Sequence, residues 1–276
     1  MRIALSNLAW DVAEDAQIAA LLNRYEVDAI DIAVSKYFPA PASVSDSDID
    51  GVRRFWTARG VEITGMQALL FGAQGLNLFG DEAARAAMLE RLSHVCRIAS
   101  RLGATRLVFG SFRNRDRGDL KAQQAQDIAV DFFRSLGAVA RLHGVVICLE
   151  PVPARYGANF MVTTPEAAMV VEAADDPAIR LHLDTGTMAV NAESRDVVTT
   201  FAPLIGHVHA GDPDLAPFGG CVAYHAAVAS VLRRARPDLI VTVEMLATTD
   251  APHLQSIERA LAAAIRCYRD EHAAAG

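Results

Sequence analysis

Four side chains suited to catalysis or metal binding end four successive apolar segments in the second half of the chain. Glu150 follows Val-Val-Ile-Cys-Leu, and Asp184 follows Ile-Arg-Leu-His-Leu. His209 follows Ile-Gly-His-Val, and Glu244 follows Leu-Ile-Val-Thr-Val. Short apolar runs of this kind are typical of buried strands in a parallel sheet. Three carboxylates and an imidazole are suited to binding a cation or to transferring protons.

The elements that would position these side chains alternate along the chain. The predicted strands are Arg2–Leu8, Ala29–Val34, Val61–Gln67, Arg106–Phe109, Val145–Glu150, Ile179–Asp184, Ile205–His209 and Leu239–Glu244. The predicted helices are Ala13–Tyr25, Asp46–Arg59, Asp81–Arg101, Leu120–His143, Thr164–Ala174, Ala192–Phe201, Tyr224–Arg234 and His253–Asp270. Strictly alternating strands and helices over 276 residues predict an α/β fold. We expect a single (β/α)8 TIM barrel, one domain spanning residues 1–276.

A doubly wound open sheet is the alternative fold for such alternation. That fold usually carries a glycine-rich phosphate loop after its first strand. Residues 6–10 read Ser-Asn-Leu-Ala-Trp and contain no glycine, which favours the barrel. Gly60, Gly103 and Gly144 each stand between a predicted helix and the next strand, where left-handed helix caps are expected.

In a barrel the four polar strand ends would surround one half of the mouth where such enzymes keep their active sites. Converging carboxylates repel one another unless a cation or protons neutralise them. Glu150, Asp184, His209 and Glu244 are therefore predicted to bind one divalent metal ion, Mn, Mg, Co or Zn. Solvated strand-end residues without a metal are the alternative interpretation.

Two further histidines lie two residues before metal-ligand candidates. Because side chains alternate along a strand, His182 should face inward with Asp184, and His207 with His209. Both are predicted to contact the metal ligands rather than the metal itself, and so to fix the orientation of those ligands. Histidines that are simply hydrogen-bonded in the core are a compatible alternative.

The chain resembles the xylose isomerase-like TIM-barrel superfamily of sugar phosphate isomerases and epimerases. The resemblance is carried by Leu-Glu-Pro at 149–151, His-Leu-Asp-Thr-Gly at 182–186, His-Val-His at 207–209 and Val-Glu-Met at 243–245. It implies that Glu150, Asp184, His209 and Glu244 bind the metal. It also implies that Glu150 and Glu244 transfer the substrate proton from opposite faces.

The activity implied is that of a metal-dependent isomerase or epimerase of carbohydrate metabolism, using a metal such as manganese. It would work through an enediolate on a ketose, keto-sugar or related polyol ketone. A lyase that dehydrates a keto-sugar or inosose is the alternative, because it shares the first proton abstraction. A non-catalytic binding subunit and a phosphodiesterase like endonuclease IV are less favoured, and the latter would need additional histidines.

Two positions depart from the pattern of the ketose 3-epimerases in that superfamily. Thr187 stands where those enzymes carry a substrate-binding histidine, and Leu215 lies near their arginine. A site without these hydrogen-bonding groups should discriminate poorly for substrates that need them. We therefore expect weak 3-epimerisation of free ketohexoses.

Several residues elsewhere on the predicted rim are candidates for binding substrate. They are Lys36, Gln67, Arg113 and Arg155. An amide suits sugar hydroxyls, while lysine and arginine suit carboxylate or phosphate. Pairing of the arginines with nearby acidic side chains is the alternative. The apolar, glycine-rich segment 71–80 is expected either to cover the site or to pack on the barrel rim.

Composition limits the remaining possibilities. The chain is 52% hydrophobic and 21% charged, which excludes disorder as its dominant state. A formal charge of −7 argues against a nucleic-acid partner, and no apolar run is long enough to predict a membrane partner. Four cysteines without metal-type spacing, and no signal peptide, predict a cytoplasmic protein with free thiols. A small sugar or keto-polyol is the expected partner, and a homo-oligomer is left open.

Overall fold

The computed structural model describes residues 1–269. Residues 270–276, including the predicted helix end at Asp270, lie outside the described part, so the predicted domain extent of 1–276 stays a prediction.

Eight parallel strands close into a barrel in sequence order, each strand pairing with the next and β8 pairing with β1. The strands are β1 Ile3–Ser6, β2 Ala29–Ala33, β3 Glu62–Gln67, β4 Arg106–Phe109, β5 Val146–Leu149, β6 Ile179–Asp184, β7 Ile205–Gly211 and β8 Val241–Glu244. The pairing of Ile3 with Val241 and of Leu5 with Val243 closes the circle. The predicted (β/α)8 TIM barrel is confirmed, and all eight predicted strands are present within a few residues of their expected ends.

Helices follow the strands and form the outer layer. They are α1 Asp15–Arg24, α2 Val34–Tyr37, α3 Asp46–Thr57, α4 Glu82–Leu102, α5 Ala122–Leu142, α6 Thr164–Ala174, α7 Thr185–Val190, α8 Asp196–Thr200, α9 Val222–Ala235 and α10 His253–Ala264. Asp81 caps α4 by accepting a hydrogen bond from Ala84 N, at 2.8 Å. Gly60, Gly103 and Gly144 have φ of 72°, 90° and 67°, which confirms the three predicted left-handed positions.

The segment after β6 differs from its prediction. A helix was expected over Ala192–Phe201, but the structure has α7 directly after the strand and only the short α8 near the expected position. Asp184 caps α7 by accepting from the backbone N–H of Thr187. Gly186 allows the tight turn, because an added Cβ would lie 3.2 Å from the carbonyl oxygens of Gly211 and Asp212.

The core occupies the layer between strands and helices. Phe109 of β4 meets Phe133 of α5 edge to face, with ring centroids 5.3 Å apart. Each large apolar side chain buried in this layer contributes roughly 1.5–3 kcal/mol. No helix among residues 1–269 combines the length and apolar character required to cross a bilayer.

Candidate metal and active site

The carboxyl ends of β5 to β8 bring the four predicted metal ligands together. Glu150 directly follows β5, Asp184 ends β6, His209 lies in β7 and Glu244 ends β8. Asp184 is in register with His209 across β6 and β7, and Gly211 with Glu244 across β7 and β8. Parallel strands lie about 4.8 Å apart, so their carboxyl ends place these side chains at one point of the barrel mouth.

The side chains form a compact cluster that also includes His182. One ligand atom each from Glu150, His182, Asp184 and His209 lie within 4.8 Å of one another. Glu244 joins them through His209, whose Nδ1 lies 3.3 Å from Glu244 Oε2. His182 was predicted to support the ligands from behind, whereas the structure places its ring inside the ligand cluster.

Buried nitrogen atoms without hydrogen-bond partners indicate that this cluster suits a cation. His182 and His209 are fully buried, and none of their ring nitrogens makes a well-aligned hydrogen bond. His182 Nε2 is 3.9 Å from Glu150 Oε1. A buried polar atom without a partner costs about 1–3 kcal/mol. Unpaired nitrogens beside several carboxylates are the donor set that a divalent transition metal prefers.

The carboxylates raise one another's proton affinity in the metal-free protein. Burial, followed by the charges of Glu244 and Asp184, raises the pKa of Glu150 to about 8. Burial and the charge of Glu244 raise the pKa of Asp184 to about 6. Burial would also raise the pKa of Glu244, but the charge of His209, 3.3 Å away, and the hydrogen bond from Gln67 lower it. A cation at this point would relieve the repulsion and favour the ionised forms.

A buried carboxylate that we had not predicted lies beneath the cluster. Asp31 of β2 is 1% exposed, and its Oδ2 lies 2.6 Å from His207 Nε2 and accepts from Thr242 Oγ1 at 2.8 Å. The same oxygen lies 3.5 Å from Nε2 of His209. Burial opposes the ionisation of Asp31, but the charge and hydrogen bond of His207, together with the charge of His209, lower its pKa well below the usual value. Gly65 makes room for this carboxylate, since an added Cβ would lie 2.6 Å from Asp31 Cγ. Asp31 thus holds the ring of His207, whose centroid lies 5.2 Å from that of His209, and the role of His207 in orienting the ligands stays a prediction.

The segment after β4 positions Glu150. Arg115 is 1% exposed, and its guanidinium donates to the carbonyl oxygens of Phe109 and Glu150, at 3.3 and 2.7 Å. Gly110 lies against the Glu150 side chain, where an added Cβ would be 2.8 Å from Glu150 Cδ and would overlap Oε2. Arg115 is therefore buried and fixes the backbone at the ends of β4 and β5, and it forms no surface ion pair with any residue in the described range 1–269.

The four predicted substrate-binding residues have different surroundings. Gln67 donates to Glu244 Oε1 at 2.5 Å and accepts from Ser6 Oγ at 2.8 Å, so it lies in the site. Arg113 lies on the rim near the site and makes no ion pair with any described residue. Lys36 donates to the carbonyl oxygens of Asn7 and Trp10, at 2.6 and 2.5 Å, which occupies its ammonium group. Arg155 is exposed and forms an ion pair with Asp214.

Two cavities open on the site, and Phe112 lines both of them. The first, called here the β6 cavity, has a volume of about 480 Å³, and the second, the β3 cavity, has about 660 Å³. The β6 cavity is lined by Gly110, Phe112, Glu150, Val152, Pro153, Tyr156, Asp184, Gly186, Thr187, Asp212, Asp214, Leu215 and Glu244. The β3 cavity is lined by residues 67, 68, 70–76, 108, 110–114, 150 and 244. Both cavities therefore contact Glu150 and Glu244.

Strained backbone occurs on the walls of both cavities. Ala68 has φ of 54°, and Asp214 and Leu215 have φ of 63° and 53°. The left-handed conformation costs a residue with a Cβ about 1–2 kcal/mol. Such strain concentrates at functional sites. A further cavity of about 420 Å³ lies at the opposite end of the barrel and contains none of the four predicted ligands.

Comparison with known proteins identifies the family model that the chain matches. A model described as xylose isomerase-like TIM barrel matches residues 19–270. A comparison with curated protein sequences found no match.

Solved structures share the fold at low sequence identity. A D-psicose 3-epimerase crystallised in the presence of D-fructose is 17% identical, with a TM-score of 0.80 over 97% of this chain and 99% of that one. A 3-keto-D-glucoside 4-epimerase from E. coli is 17% identical, with a TM-score of 0.77 over 93% and 97%. The IolI protein with a bound zinc atom is 15% identical, with a TM-score of 0.74 over 96% and 97%. At these identities the likeness establishes the fold.

Proposed function

This chain belongs to the xylose isomerase-like TIM-barrel family, and we propose that it is a divalent-metal-dependent sugar isomerase or epimerase. The observation that carries the proposal is the cluster of buried carboxylates and unpaired imidazoles that contacts both cavities. The proposed substrate is a ketose, keto-sugar or related polyol ketone. Structural neighbours include epimerases crystallised with, or named for, such sugars.

The metal is assigned to Glu150, Asp184, His209 and Glu244, with His182 as a further candidate ligand. When bound, a divalent ion would polarise a substrate carbonyl and stabilise the enediolate formed by removal of the neighbouring proton. The IolI structure, which contains zinc, is consistent with a metal in this family's fold. His182→Gln tests the fifth candidate, because loss of stoichiometric metal in that variant would make His182 a ligand.

Glu150 and Glu244 are proposed to transfer the proton. Both contact the two cavities, and the charge of Glu244 helps to raise the pKa of Glu150. Gln67 donates to Glu244 Oε1 and so orients that carboxylate, whereas Arg115 fixes the backbone from which the Glu150 side chain projects. If they face the substrate from opposite sides, one removes a proton and keeps it until solvent takes it up, while the protonated form of the other delivers its own proton to the opposite face and inverts the configuration.

Beyond the proposed metal ligands, the charged side chains that line the β6 cavity are the carboxylates Asp212 and Asp214. Its wall also includes Val152, Pro153 and Leu215, and among residues 1–269 no lysine or arginine lines it. Thr187 donates its hydroxyl to the carbonyl oxygen of Pro151 and is not free to replace a histidine. We therefore expect an uncharged keto-sugar, and poor turnover of free ketohexoses.

Proton exchange in D₂O tests this function. The Mn²⁺-loaded protein is incubated with D-fructose, D-tagatose, an inosose and 3-keto-glucosides, and deuterium uptake and net conversion are followed by NMR. Glu150→Gln and Glu244→Gln should each lower turnover about 10²–10⁴-fold, the usual contribution of a general base. Because the two residues serve opposite faces, one variant should still exchange the proton without converting the substrate.

The matched control is Glu172→Gln, an exposed carboxylate of α6. It should behave as the wild type in every assay. Near wild-type turnover in both site variants would show that these glutamates do not transfer the proton. Net loss of water with the exchange would assign the chain to the lyases instead.

A further inference from the structure

The β3 cavity is additional to the space that a single sugar would fill. Pockets of roughly 300–1,000 Å³ enclose drug-sized ligands, and each of the two cavities lies in that range by itself. A monosaccharide is much smaller than such a ligand. Because both cavities contact Glu150 and Glu244, a ligand bound at these carboxylates could extend into the second cavity.

The wall of the β3 cavity combines aromatic and apolar side chains with amide groups. It includes Leu70, Phe71, Leu76 and Phe112 together with Gln74 and Asn114. Phe71 is 68% exposed, so its ring is available to a ligand. Flat apolar faces of this kind stack on the apolar face of a sugar or on an aryl ring. The amides would bind hydroxyl or ether oxygens.

The loop that carries Phe71 is held by defined hydrogen bonds. Phe71 N donates to the carbonyl oxygen of Ala68 at 3.0 Å, and Leu78 N donates to that of Asn114 at 2.8 Å. The side-chain amide of Asn114 donates to the carbonyl oxygen of Leu76, also at 2.8 Å. A ligand would meet a largely preformed surface, which lowers the entropic cost of binding.

The charges around the cavity favour an uncharged ligand group. Glu150 and Glu244 line it, and Arg113 is its single basic residue within the part of the chain that the structure describes. The guanidinium of Arg113 lies 5.7 Å from the Phe112 ring centroid, which places it beside an aromatic face. An anionic group would be attracted by one exposed arginine but repelled by the carboxylates of the site.

We propose that the β3 cavity binds a second, uncharged ring joined to the reacting sugar by a glycosidic bond. The substrate would then be a keto-glycoside. This inference rests on the proposed function and adds the substrate class. A glycosidic bond occupies the anomeric carbon, so the carbonyl must lie at another ring carbon, with the exchangeable proton beside it.

Two 3-keto-glucosides that differ only in the second group test the proposal. The methyl and 4-nitrophenyl 3-keto-β-D-glucopyranosides are compared by the kcat/KM of deuterium uptake with the Mn²⁺-loaded protein. We expect the 4-nitrophenyl compound to be favoured at least tenfold. Phe71→Ala should reduce this ratio at least fivefold. Leu142→Ala, which removes a side chain 85% exposed at the end of α5, should leave the ratio unchanged.

Equal kcat/KM values for the two glycosides would overturn the inference and leave the proposed function intact. The methyl compound with a phosphate group at position 6 provides a second test. A tenfold higher kcat/KM for this phosphate that disappears in Arg113→Gln would also overturn the inference, because the cavity would then bind an anion. If neither glycoside exchanges its proton, the proposed function fails for keto-glycosides. Calorimetry with the unreactive methyl and 4-nitrophenyl β-D-glucopyranosides then decides the inference separately, since equal affinities would overturn it.

Discussion

Gly110 is the position where one methyl group should have the largest effect on the proposed chemistry. In Gly110→Ala the new Cβ would lie 2.8 Å from Glu150 Cδ and overlap Oε2. Carbon atoms in contact are normally about 3.5–4.0 Å apart, so the carboxyl group must withdraw by about 1 Å. A displacement of about 1 Å in a reacting group can cost 10²-fold in rate. We therefore expect about a 100-fold loss of kcat/KM in the deuterium-exchange assay, with the fold retained.

The control for this variant is Gly51→Ala. Gly51 lies within α3, and an added Cβ there meets nothing within 4 Å. It should keep full activity and gain about 0.5–1 kcal/mol in the free energy of unfolding, as expected for alanine in a helix interior.

A double-mutant cycle with Glu150→Gln tests whether the methyl group acts through Glu150. If it does, Gly110→Ala should cost much less when Glu150→Gln is already present, because neighbouring residues that share one function are not additive. A Gly110→Ala variant within threefold of the wild type would refute the reasoning.

Two further predictions concern the carboxylates. Asp31→Asn should lower the affinity for Mn²⁺ about 10–100-fold, because loss of the hydrogen-bonding partner of a metal-binding histidine usually has that effect. Calorimetry would measure the affinity. An unchanged value would exclude a role for Asp31 in holding His209. The metal-free protein should become less stable as pH rises from about 5 to 8. Glu150 and Asp184 keep protons that the unfolded chain releases, since their pKa values are raised to about 8 and about 6. Urea unfolding with EDTA should show this trend, and excess Mn²⁺ should weaken or reverse it; a rise in metal-free stability over the same range would contradict it.

The barrel and the main site could be predicted because their signals are local. Each of the four ligand candidates follows a mainly apolar run of residues, and the alternation of strands and helices determines which strand ends meet. The placement of His182 within the ligand cluster could not be predicted from spacing. Alternation gives the face of the strand, but the depth of a side chain in the barrel depends on strand register and tilt.

Asp31 and Arg115 were missed for a different reason. Asp31 is the single charged residue of β2, in the segment Ala-Ile-Asp-Ile-Ala, and a charge within a buried strand was a usable signal. Its partners lie on β3, β7 and β8, so its role depends on contacts between distant parts of the chain. Arg115 had no such signal, because its neighbours in sequence are also polar and only the tertiary structure buries it.

The position of His209 between two carboxylates explains why Asp31 matters to the proposed metal. Its Nδ1 lies 3.3 Å from Glu244 Oε2, and its Nε2 lies 3.5 Å from Asp31 Oδ2. A neutral imidazole carries one proton, and the nitrogen that binds a metal must be the other one. Since Glu244 is a proposed ligand, the metal should lie on the Nδ1 side and the proton on Nε2. Asp31 is the carboxylate placed to face the N–H group at Nε2. This residue of β2 would therefore select the tautomer of His209, a proposed metal ligand on β7.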